Sequence, residues 1–327
     1  MAMQSPILVT GGTGFIGRTL IDELLAQGLE VASFALPGED VPSHWGNRVK
    51  VHRGDITRAA DVNAVMQDVK TVFHLAAVMG MGAYKDHEVI TVQGSQHVFD
   101  AALANNCKVV LAASIVVYGD QIQTRLCHED LPHGKHQGPY SWAKMAQEKL
   151  ALDYQSKGMQ LTLIRPANVY GVGSGPWVEG LLEAIEAGIL PVVGDGSGNA
   201  GLVHVNNLVS AFILAANSAQ AVGRIYTVCD GLDVSWSRYF HDLAAIKGLE
   251  DLPSANRDEL IAAARQFENP EQLQAMQEML TLPLEMINLI GYDNRFDCTR
   301  ICDELGWKPH FSYEDALTEI RLEQCSK

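Results

Sequence analysis

The chain has 327 residues, of which 47% are hydrophobic and 19% are charged, and its formal net charge is −15. This composition excludes a disordered chain, and the length allows one large domain with a smaller lobe. The negative charge disfavours nucleic acid or an anionic membrane as the main partner, because phosphate groups bind to basic surfaces.

The first half of the chain alternates apolar runs with helical patterns. Residues Pro6 to Thr10 form an apolar run that glycines end, which predicts a buried strand. Apolar residues at helical spacing from Phe15 to Gln27 predict a helix that ends at Gly28. Similar patterns predict strands over 31–36, 49–52, 71–75, 108–117 and 160–164, and helices over 89–105 and 140–155.

This alternation predicts an α/β fold with a Rossmann-type doubly wound parallel sheet over residues 1–170. From about Val172 the alternation weakens, since residues 194–201 predict a loop and residues 254–286 predict polar helices. We therefore expect residues 171–327 to form mainly a smaller C-terminal α/β lobe that binds substrate, with some elements returning to the sheet.

Three glycines at the spacing Gly11-x-x-Gly14-x-x-Gly17 lie directly after the first predicted strand and open the first predicted helix. In this setting the first glycine allows a tight turn, the second lets backbone approach a pyrophosphate, and the third lets helix pack on strand. The start of the helix supplies free N–H groups and a positive dipole end to phosphates. We predict a dinucleotide-binding loop rather than an ordinary glycine-rich turn.

The sequence does not decide which dinucleotide binds. An acidic residue at the end of the second strand would indicate NAD, and an arginine there would indicate NADP. Residues 34–37 read Phe-Ala-Leu-Pro and supply neither. Arg18 and Arg53 could reach a 2′-phosphate, but surface arginines have many other uses. The choice between NAD and NADP stays open, with a slight preference for NAD.

Tyr140 and Lys144 form the candidate catalytic pair. Residues four apart share one face of a helix, so the phenol and the ammonium would point at the same ligand. A nearby cation favours the phenolate, so we expect Lys144 to lower the pKa of Tyr140. Ser114 comes 26 residues earlier, near the end of a predicted strand, where a hydroxyl can point into the ligand crevice. Together with the glycine loop, these residues predict redox chemistry at a carbon that bears oxygen.

With these motifs the chain resembles the extended short-chain dehydrogenase/reductase family, which contains NAD-dependent epimerases and dehydratases. The resemblance covers nearly the whole chain and is specific for the family but not for the substrate. The matching stretches are Gly11–Gly17, Gly54-Asp55-Ile56, His74-Leu75-Ala76-Ala77, Ser114 with Val117-Tyr118-Gly119, Tyr140 with Lys144, Arg165–Gly171 and Leu305–Pro309.

The resemblance implies a role for each candidate catalytic residue. Ser114 would hydrogen-bond the substrate oxygen, Tyr140 would give or take its proton, and Lys144 would hold the nicotinamide ribose. It also implies substrate contacts from Val78, Met79, Ser114 and Asn168. The implied cofactor contacts are Gly11, Thr13, Gly14, Phe15, Ile16, Gly17, Asp55, Ile56, Leu75, Ala76, Ala77, Tyr140, Lys144, Pro166 and Val169.

Three departures from the family pattern bear on the substrate. Many nucleotide-sugar members carry an arginine that can pair with a diphosphate where this chain has Ala200-Gly201-Leu202. The segment 78–84 is apolar and includes Met79 and Met81, which suits an apolar substrate, although these methionines could simply pack against the lobe. Thr91 replaces a family asparagine whose hydrogen bond supports the site. The pattern is closer to the 3β-hydroxysteroid-dehydrogenase-like branch.

We therefore predict an NAD(P)-dependent oxidoreductase that transfers hydride at a secondary alcohol or ketone carbon of a small or apolar substrate. The alternative is a nucleotide-sugar epimerase or dehydratase with tightly bound NAD, in which the hydride returns to the same substrate. A regulator that only senses the cofactor is less favoured, because it could dispense with Tyr140. The resemblance also implies a homodimer through the Tyr140 helix and the long helix before it.

The remaining predictions concern metals, thiols and location. Cys127, His128, Glu129, Asp130, His133 and His136 fit no closed zinc pattern, so we predict a polar loop and no metal. The six cysteines form no Cys-x-x-Cys motif. No apolar run approaches the ~18 residues of a membrane span, and the N-terminus lacks a signal-peptide pattern. We expect reduced thiols in a cytoplasmic protein without a membrane partner.

Overall fold

A computed structural model describes residues 3–80, 82–265 and 282–326. Parallel pairing joins the strands into one large sheet and two small ones. The strands are β1 Ile7–Thr10, β2 Val31–Ala35, β3 Val49–Arg53, β4 Thr71–His74, β5 Lys108–Ala112, β6 Gln160–Pro166, β7 Asn168–Tyr170, β8 Val192–Val193, β9 Leu202–His204, β10 Ile225–Val228 and β11 Ser254–Ala255.

The large sheet has the strand order β10-β6-β5-β4-β1-β2-β3 within the described residues. The order reverses between β1 and β4, and such a switch point is where doubly wound sheets bind ligands. The predicted Rossmann-type fold is confirmed. β10 pairs with β6, so the chain returns to the sheet after the first elements of the lobe. The two small sheets pair β7 with β9 and β8 with β11.

Helices cover both faces of the large sheet and build the lobe. They are accompanied by the π-helical segments His87–Gln93 and Gly175–Glu179 and by the 3₁₀ segments Ser43–Arg48 and Ile115–Gln123. The α-helices are α1 Phe15–Ala26, α2 Ala59–Val65, α3 Tyr84–Asp86, α4 Gly94–Ala104, α5 Pro139–Ser156, α6 Gly180–Glu186, α7 Val205–Asn217, α8 Trp236–Ile246, α9 Arg257–Arg265, α10 Leu284–Ile290, α11 Thr299–Leu305 and α12 Tyr313–Cys325.

Among the residues that the structure describes, three apolar clusters hold these layers together. One sheet face packs against α1 and α7 through Leu20 and Phe212, and the other packs against α4 and α5 through Phe99 and Ala151. The strands are buried on both faces, which explains why they read as continuous apolar runs. The third cluster lies in the lobe and is rich in aromatic rings, among them Trp177, Trp236, Tyr239, Phe240 and Tyr313.

The structure corrects two predicted elements. The strand predicted over 108–117 ends at Ala112, and the 3₁₀ segment that starts at Ile115 buries Val117 and Tyr118 in the core instead. Tertiary burial therefore outweighs the strand preference of these residues. The helix predicted over 89–105 begins earlier, at Tyr84, and runs through the π-helical segment into α4.

Two further predictions fall partly outside the described residues. Of the helices predicted over 254–286, α9 and α10 are seen, and residues 266–281 lie outside the described ranges. Met81 also lies outside them. Within the ranges that are described, no helix is long and apolar enough to cross a membrane.

The expectation of six reduced thiols is wrong for one pair. Cys229, after β10, and Cys298, before α11, form a disulfide with Cα atoms 6.2 Å apart. Their separation of 69 residues gives no spacing signal in the sequence. Cys107, Cys127, Cys302 and Cys325 are free. The thiol argument for a cytoplasmic protein therefore does not hold.

Candidate active site

The glycine loop packs tightly on one side and is open on the other. Gly11 has a φ of +69°, and a Cβ there would lie 2.9 Å from the Ala76 backbone nitrogen. A Cβ on Gly17 would lie 2.2 Å from the Gly11 carbonyl oxygen, so helix α1 can approach β1 only with glycine at this position. At Gly14 a Cβ would meet only the Gly11 oxygen, at 3.3 Å. The open side of the loop therefore lies at Gly14.

Helix α1 begins directly after Gly14, and no side chain caps it. The first N–H groups of a helix have no partners within the helix and suit a bound anion. Phe15 and Ile16 contribute such groups here, beside the open side of Gly14. The loop and the helix start therefore fit the pyrophosphate of a dinucleotide.

The residues after β2 supply a carboxylate that sequence reasoning missed. The Glu39 Oε2 atom accepts hydrogen bonds from the Thr13 hydroxyl, at 2.6 Å, and from the Leu36 backbone N–H, at 3.1 Å. Pro37 and Gly38, whose φ is +87°, form the turn that brings Glu39 back over the strand end. A Pro-Gly turn followed by an acidic residue was the signal in the sequence.

The two arginines considered for a 2′-phosphate both bind backbone carbonyls. Arg53 donates from Nη1 to the Leu36 and Glu39 oxygens, at 2.8 and 2.7 Å. Arg18 donates from Nε to the Thr13 oxygen at 2.6 Å. These bonds hold the segment after β2 against the glycine loop.

The other predicted cofactor residues follow β3 and β4, end β6, or lie on β7. Asp55, after β3, accepts from the backbone N–H and the hydroxyl of Thr57, both at 2.8 Å, and Ile56 is buried beside it. Leu75 to Ala77 form a half-buried strip after β4, where the Leu75 N–H donates to the Thr10 oxygen at 3.1 Å. Pro166 ends β6 and is buried, and Val169 lies on β7.

Ser114, Tyr140 and Lys144 come together at the carboxyl end of β5. Ser114 follows this strand, and its hydroxyl accepts from the Val116 N–H at 3.3 Å, within hydrogen-bonding reach of the Tyr140 phenol. Tyr140 lies in the first turn of α5, and Lys144 lies one turn later, with its Nζ atom 6.0 Å from the Tyr140 ring centre. The structure thus gathers the three candidate catalytic residues at one point.

The charges at this point differ from the sequence-based expectation. Burial raises the pKa of Tyr140 to about 12, against an opposing effect of the Ser114 hydroxyl, so the phenol is neutral. Burial also lowers the pKa of Lys144 to about 8. The Lys144 Nζ atom donates to the Ala112 oxygen at 2.9 Å and to the Gln147 Oε1 atom at 3.0 Å. The expected lowering of the Tyr140 pKa is therefore wrong for the protein alone, because burial and, to a smaller extent, the Glu285 charge raise this pKa more than the Ser114 hydroxyl lowers it.

Aromatic side chains lie at the start of α5, and one of them contacts Tyr140. The buried His87 ring lies edge-on with its centre 6.2 Å from the Tyr140 ring centre, and burial lowers the pKa of His87. Tyr84 and Trp142 form a second edge-on pair at 5.7 Å. Met79 is 61% exposed on the segment that follows β4. Of these groups, the His87 ring contacts Tyr140 directly, and the Tyr84–Trp142 pair lies at the start of α5.

Thr91 supports the same segment as a hydrogen-bond acceptor. Its hydroxyl accepts from the Val78 N–H at 3.0 Å, and its carbonyl accepts from the Ser95 hydroxyl. The position therefore still supplies a hydrogen bond with threonine in place of asparagine. Val78 is half-buried and is tied in place by this bond.

Asn168, predicted to contact substrate, is 2% exposed in the structure. Its amide donates to the Ala200 carbonyl oxygen at 2.7 Å, and its backbone N–H donates to the Gly201 oxygen. Asn168 thus joins β7 to the end of the loop over residues 194–201. The geometry gives Asn168 a supporting contact to Ala200, in the segment where the sequence has no arginine.

Glu285 is a second carboxylate that the sequence analysis missed. It comes from α10 in the lobe, and its Oε1 atom accepts from the Ser141 N–H at 2.8 Å. It therefore caps helix α5 beside Tyr140, where the cap residue Gly138 has no side chain to do so. Burial raises the pKa of Glu285. The separation of 144 residues explains why no local pattern indicated it.

A buried ion pair lies beneath the site. Arg165 on β6 and Glu148 on α5 form two hydrogen bonds, and both side chains are almost fully buried. His133 adds a third contact to Glu148 at 2.9 Å. Burial opposes ionisation of Glu148, but the bonds from His133 and Arg165 hold its pKa below the usual value. This pair fixes α5 to the sheet close to Lys144.

The polar loop before α5 makes structural contacts. Glu129 accepts from the Thr227 N–H at 2.7 Å, and Asp130 pairs with Arg300 at 2.6 Å. Over the described ranges, no three histidine, cysteine or acidic side chains gather in a way that could hold a metal ion.

Known proteins resemble this chain in sequence. The sequence model of the NAD dependent epimerase/dehydratase family matches residues 7–229. The 3-beta-hydroxysteroid dehydrogenase of Mycolicibacterium neoaurum is 28% identical over 333 residues, covering 96% of this chain and 89% of that relative. Short-chain dehydrogenase/reductase family 42E member 1 of Danio rerio is 30% identical over 271 residues, covering 75% of this chain and 68% of that relative.

A solved structure shares the whole fold. The dTDP-glucose 4,6-dehydratase DesIV of Streptomyces venezuelae, with NAD and TYD bound, superposes with a TM-score of 0.78 at 22% identity. The superposition covers 98% of this chain and 97% of that chain. The arrangement of sheet and lobe is therefore one that known NAD-binding enzymes use.

Proposed function

The chain belongs to the NAD dependent epimerase/dehydratase family, and from this premise we propose that it is an oxidoreductase acting on a secondary alcohol or ketone. Its substrate is a small or apolar molecule, and Ser114, Tyr140 and Lys144 are its catalytic residues. The observation that carries this proposal is their convergence at the carboxyl end of β5. The relatives named as dehydrogenases support the same reaction class.

The candidate cofactor residues fit a nicotinamide dinucleotide. The open side at Gly14 and the uncapped start of α1 suit the pyrophosphate. When bound, the nicotinamide ring supplies the hydride or receives it. The protein's own contribution is to hold the two reactants in place and to move a proton.

Each catalytic residue has a task that its contacts support. Lys144 has three donors, of which the Ala112 and Gln147 oxygens take two, so one N–H is left for a ribose hydroxyl. The Ser114 hydroxyl donates to the substrate oxygen. The neutral Tyr140 phenol gives a proton to that oxygen during ketone reduction. General acid catalysis of this kind contributes ~10²–10⁴ in rate.

We propose NAD rather than NADP as the cofactor, because Glu39 lies where the adenosine ribose is expected. A carboxylate there can accept from the 2′-hydroxyl of NAD and repels the 2′-phosphate of NADP. The bonds that Arg18 and Arg53 make to backbone oxygens support the same choice, since both guanidinium groups have protein partners.

Binding of NADH and NADPH to Glu39→Gln tests this choice. The wild type is expected to prefer NADH, and the substitution is expected to reduce the preference roughly 10-fold by removing the charge that would repel the 2′-phosphate. Asp40→Asn removes the neighbouring carboxylate and is expected to leave the ratio unchanged. A wild type that prefers NADPH, or a ratio that Glu39→Gln does not alter, would contradict the proposal.

The substrate class rests on the border of the site. Met79, Val78 and the Tyr84–Trp142 pair supply apolar and aromatic surface. Ala200, two residues before Leu202, is fully buried, and residues 200–202 include no arginine. Both features favour an apolar alcohol or ketone over a nucleotide diphosphate.

The alternative, a nucleotide-sugar epimerase or dehydratase, fits the shared fold equally well. Arg295 and Arg257 are basic residues near this loop, and both have protein partners. The Arg295 Nε atom pairs with Asp293 at 2.6 Å, and the Arg257 Nη1 atom donates to the Gly291 oxygen at 3.3 Å. Net oxidation of NADH in the presence of a ketone distinguishes the two reactions. We expect turnover with apolar ketones, whereas tightly retained NAD without net turnover would establish the alternative.

We also propose a homodimer that packs α5 and α4 of each copy together. Leu152 on α5 is a large apolar side chain that is 37% exposed on this face. Light scattering is expected to give twice the chain mass of 35.6 kDa. A Leu152→Glu variant is expected to become monomeric, and a monomeric wild type would contradict the proposal.

A further inference from the structure

A chain of buried polar side chains runs from Lys144 to the end of β1. Its members come from four elements, and each is 3% exposed or less. Buried polar groups of this kind are stable only when their hydrogen bonds are satisfied. The members are Thr10, His74, Ser95, Gln147 and Lys144.

The first part of the chain connects Lys144 to Ser95. The Lys144 Nζ atom donates to the Gln147 Oε1 atom at 3.0 Å, and the Gln147 Nε2 atom donates to the Ser95 hydroxyl oxygen at 2.8 Å. The Ser95 hydroxyl gives its own proton to the Thr91 carbonyl. Both groups of the Gln147 amide are therefore hydrogen-bonded, the oxygen to Lys144 and the NH₂ group to Ser95.

The second part connects Ser95 to the strand below the glycine loop. Because Ser95 has one proton and gives it to Thr91, it accepts from the His74 Nε2–H group, at 2.8 Å. The Nδ1 atom of His74 then accepts from the Thr10 hydroxyl at 2.7 Å, and the Thr10 oxygen accepts from the Ala76 N–H at 3.3 Å. The pattern assigns a neutral His74 with its proton on Nε2.

We propose that Gln147 is a positioning residue that fixes the Lys144 ammonium, and that Ser95, His74 and Thr10 anchor Gln147 to the strand carrying the glycine loop. This inference rests on the proposed function, in which Lys144 holds the cofactor ribose. Gln147 lies one turn after Lys144 on α5 and points into the protein, where an apolar side chain would leave the ammonium without one of its two acceptors. The chain thus links the ribose end and the pyrophosphate end of one cofactor site.

Four ionisable groups face the Lys144 ammonium. Tyr140 and Glu148 lie on its own helix, His74 ends β4, and His87 lies on the π-helical segment before α4. Glu148 favours the charged lysine, and burial opposes it. A substitution at position 147 leaves these four groups in place.

Two substitutions at Gln147 separate positioning from mere packing. Gln147→Leu removes the acceptor at similar size, and Gln147→Glu keeps an acceptor oxygen and adds a negative charge. NADH is the probe, and its fluorescence gives the dissociation constant between pH 6 and pH 10. We expect Gln147→Leu to weaken NADH binding roughly 10-fold at pH 7, because a charge-assisted hydrogen bond is lost. Gln147→Glu is expected to stay within about 3-fold of the wild type.

The pH dependence of NADH binding would not change if Gln147 had only a structural role. NADH affinity is expected to fall at alkaline pH as Lys144 loses its proton. Gln147→Glu is expected to move this fall to higher pH, and Gln147→Leu is expected to move it to lower pH. Gln155→Leu, two turns further along α5, is the matched control and is expected to bind NADH like the wild type.

Ser95→Ala tests the anchor if Gln147→Leu does not fold. It leaves the contact between Lys144 and Gln147 but cuts Gln147 from His74, so we expect a loss of NADH affinity of about 3-fold. The positioning role would be overturned if Gln147→Leu or Ser95→Ala bound NADH with wild-type affinity. It would also be overturned if Gln147→Glu bound NADH with wild-type affinity and the pH dependence of its binding were unchanged. A wild type that binds no nicotinamide dinucleotide would overturn the proposed function itself, which is a separate result.

Discussion

His74 makes the free energy of unfolding of this protein depend on pH, and the size of this effect can be calculated. It is almost fully buried between Thr10 and Ser95, and burial, with the nearby Lys144 charge, lowers its pKa from 6.5 to about 3. The unfolded chain takes up a proton near pH 6.5, whereas the folded protein does so only near pH 3. This contribution to stability is therefore complete above pH 6.5 and is lost as the pH falls toward 3.

The size of the effect follows from the two pKa values. Each pH unit between the two pKa values lowers the free energy of unfolding by about 1.36 kcal/mol. At pH 5, about 1.5 units below the pKa in the unfolded chain, His74 therefore lowers the free energy of unfolding by about 2 kcal/mol. His74→Gln cannot titrate and is expected to lose this part of the slope. The remaining slope includes contributions from His204, whose pKa burial lowers to about 4, and from His87 and His52, whose pKa values burial also lowers.

Urea unfolding at pH 7, 6 and 5 measures this slope directly. We expect the free energy of unfolding to fall between pH 7 and pH 5 by about 2 kcal/mol more in the wild type than in His74→Gln. His241→Gln, at an exposed position, is the matched control and is expected to behave as the wild type. Equal slopes in the wild type and in His74→Gln would refute the reasoning and the neutral state assigned to the chain of buried side chains.

Three other predictions concern supporting contacts. Glu148→Gln breaks the buried pair with Arg165 and is expected to lower the free energy of unfolding by about 3–5 kcal/mol in urea titrations; a loss below about 1 kcal/mol would contradict this. Glu285→Gln weakens the cap of α5 and is expected to lower it by about 1 kcal/mol, measured in the same way, whereas an unchanged stability would show that the carboxylate does not cap the helix. Thiol titration of the unfolded, unreduced chain is expected to find Cys229 and Cys298 paired, so that four of the six cysteines react; six reactive thiols would contradict the disulfide.

The sequence predicted the parts of the fold that depend on local pattern. The glycine spacing and the apolar runs predict the first strand, the loop and α1, because each follows from the conformational needs of nearby residues. The strand predicted to Val117 was wrong beyond Ala112, since the burial of Val117 and Tyr118 in the core is a tertiary effect. Local preference cannot report such an effect.

The sequence predicted the central residues of the candidate site but not the residues that support them. The convergence of Ser114 and Tyr140 follows from strand and helix positions. Glu285, in contrast, is 144 residues from its partner Ser141 in the sequence, and a turn places Glu39 over the end of β2. Gln147 gave no signal as one polar residue on a helix. The expected lowering of the Tyr140 pKa was wrong because burial cannot be read from spacing.

The most direct test of the central claim is a single turnover of Tyr140→Phe with NADH deuterated at the transferred position. Ketones that the wild type reduces serve as substrates, and mass spectrometry follows deuterium in the product alcohol. We predict that Tyr140→Phe binds NADH like the wild type and transfers deuterium at least ~10²-fold more slowly, because the proton donor is gone. Transfer at the wild-type rate would contradict the assignment of Tyr140 and, with it, the proposed hydride-transfer site.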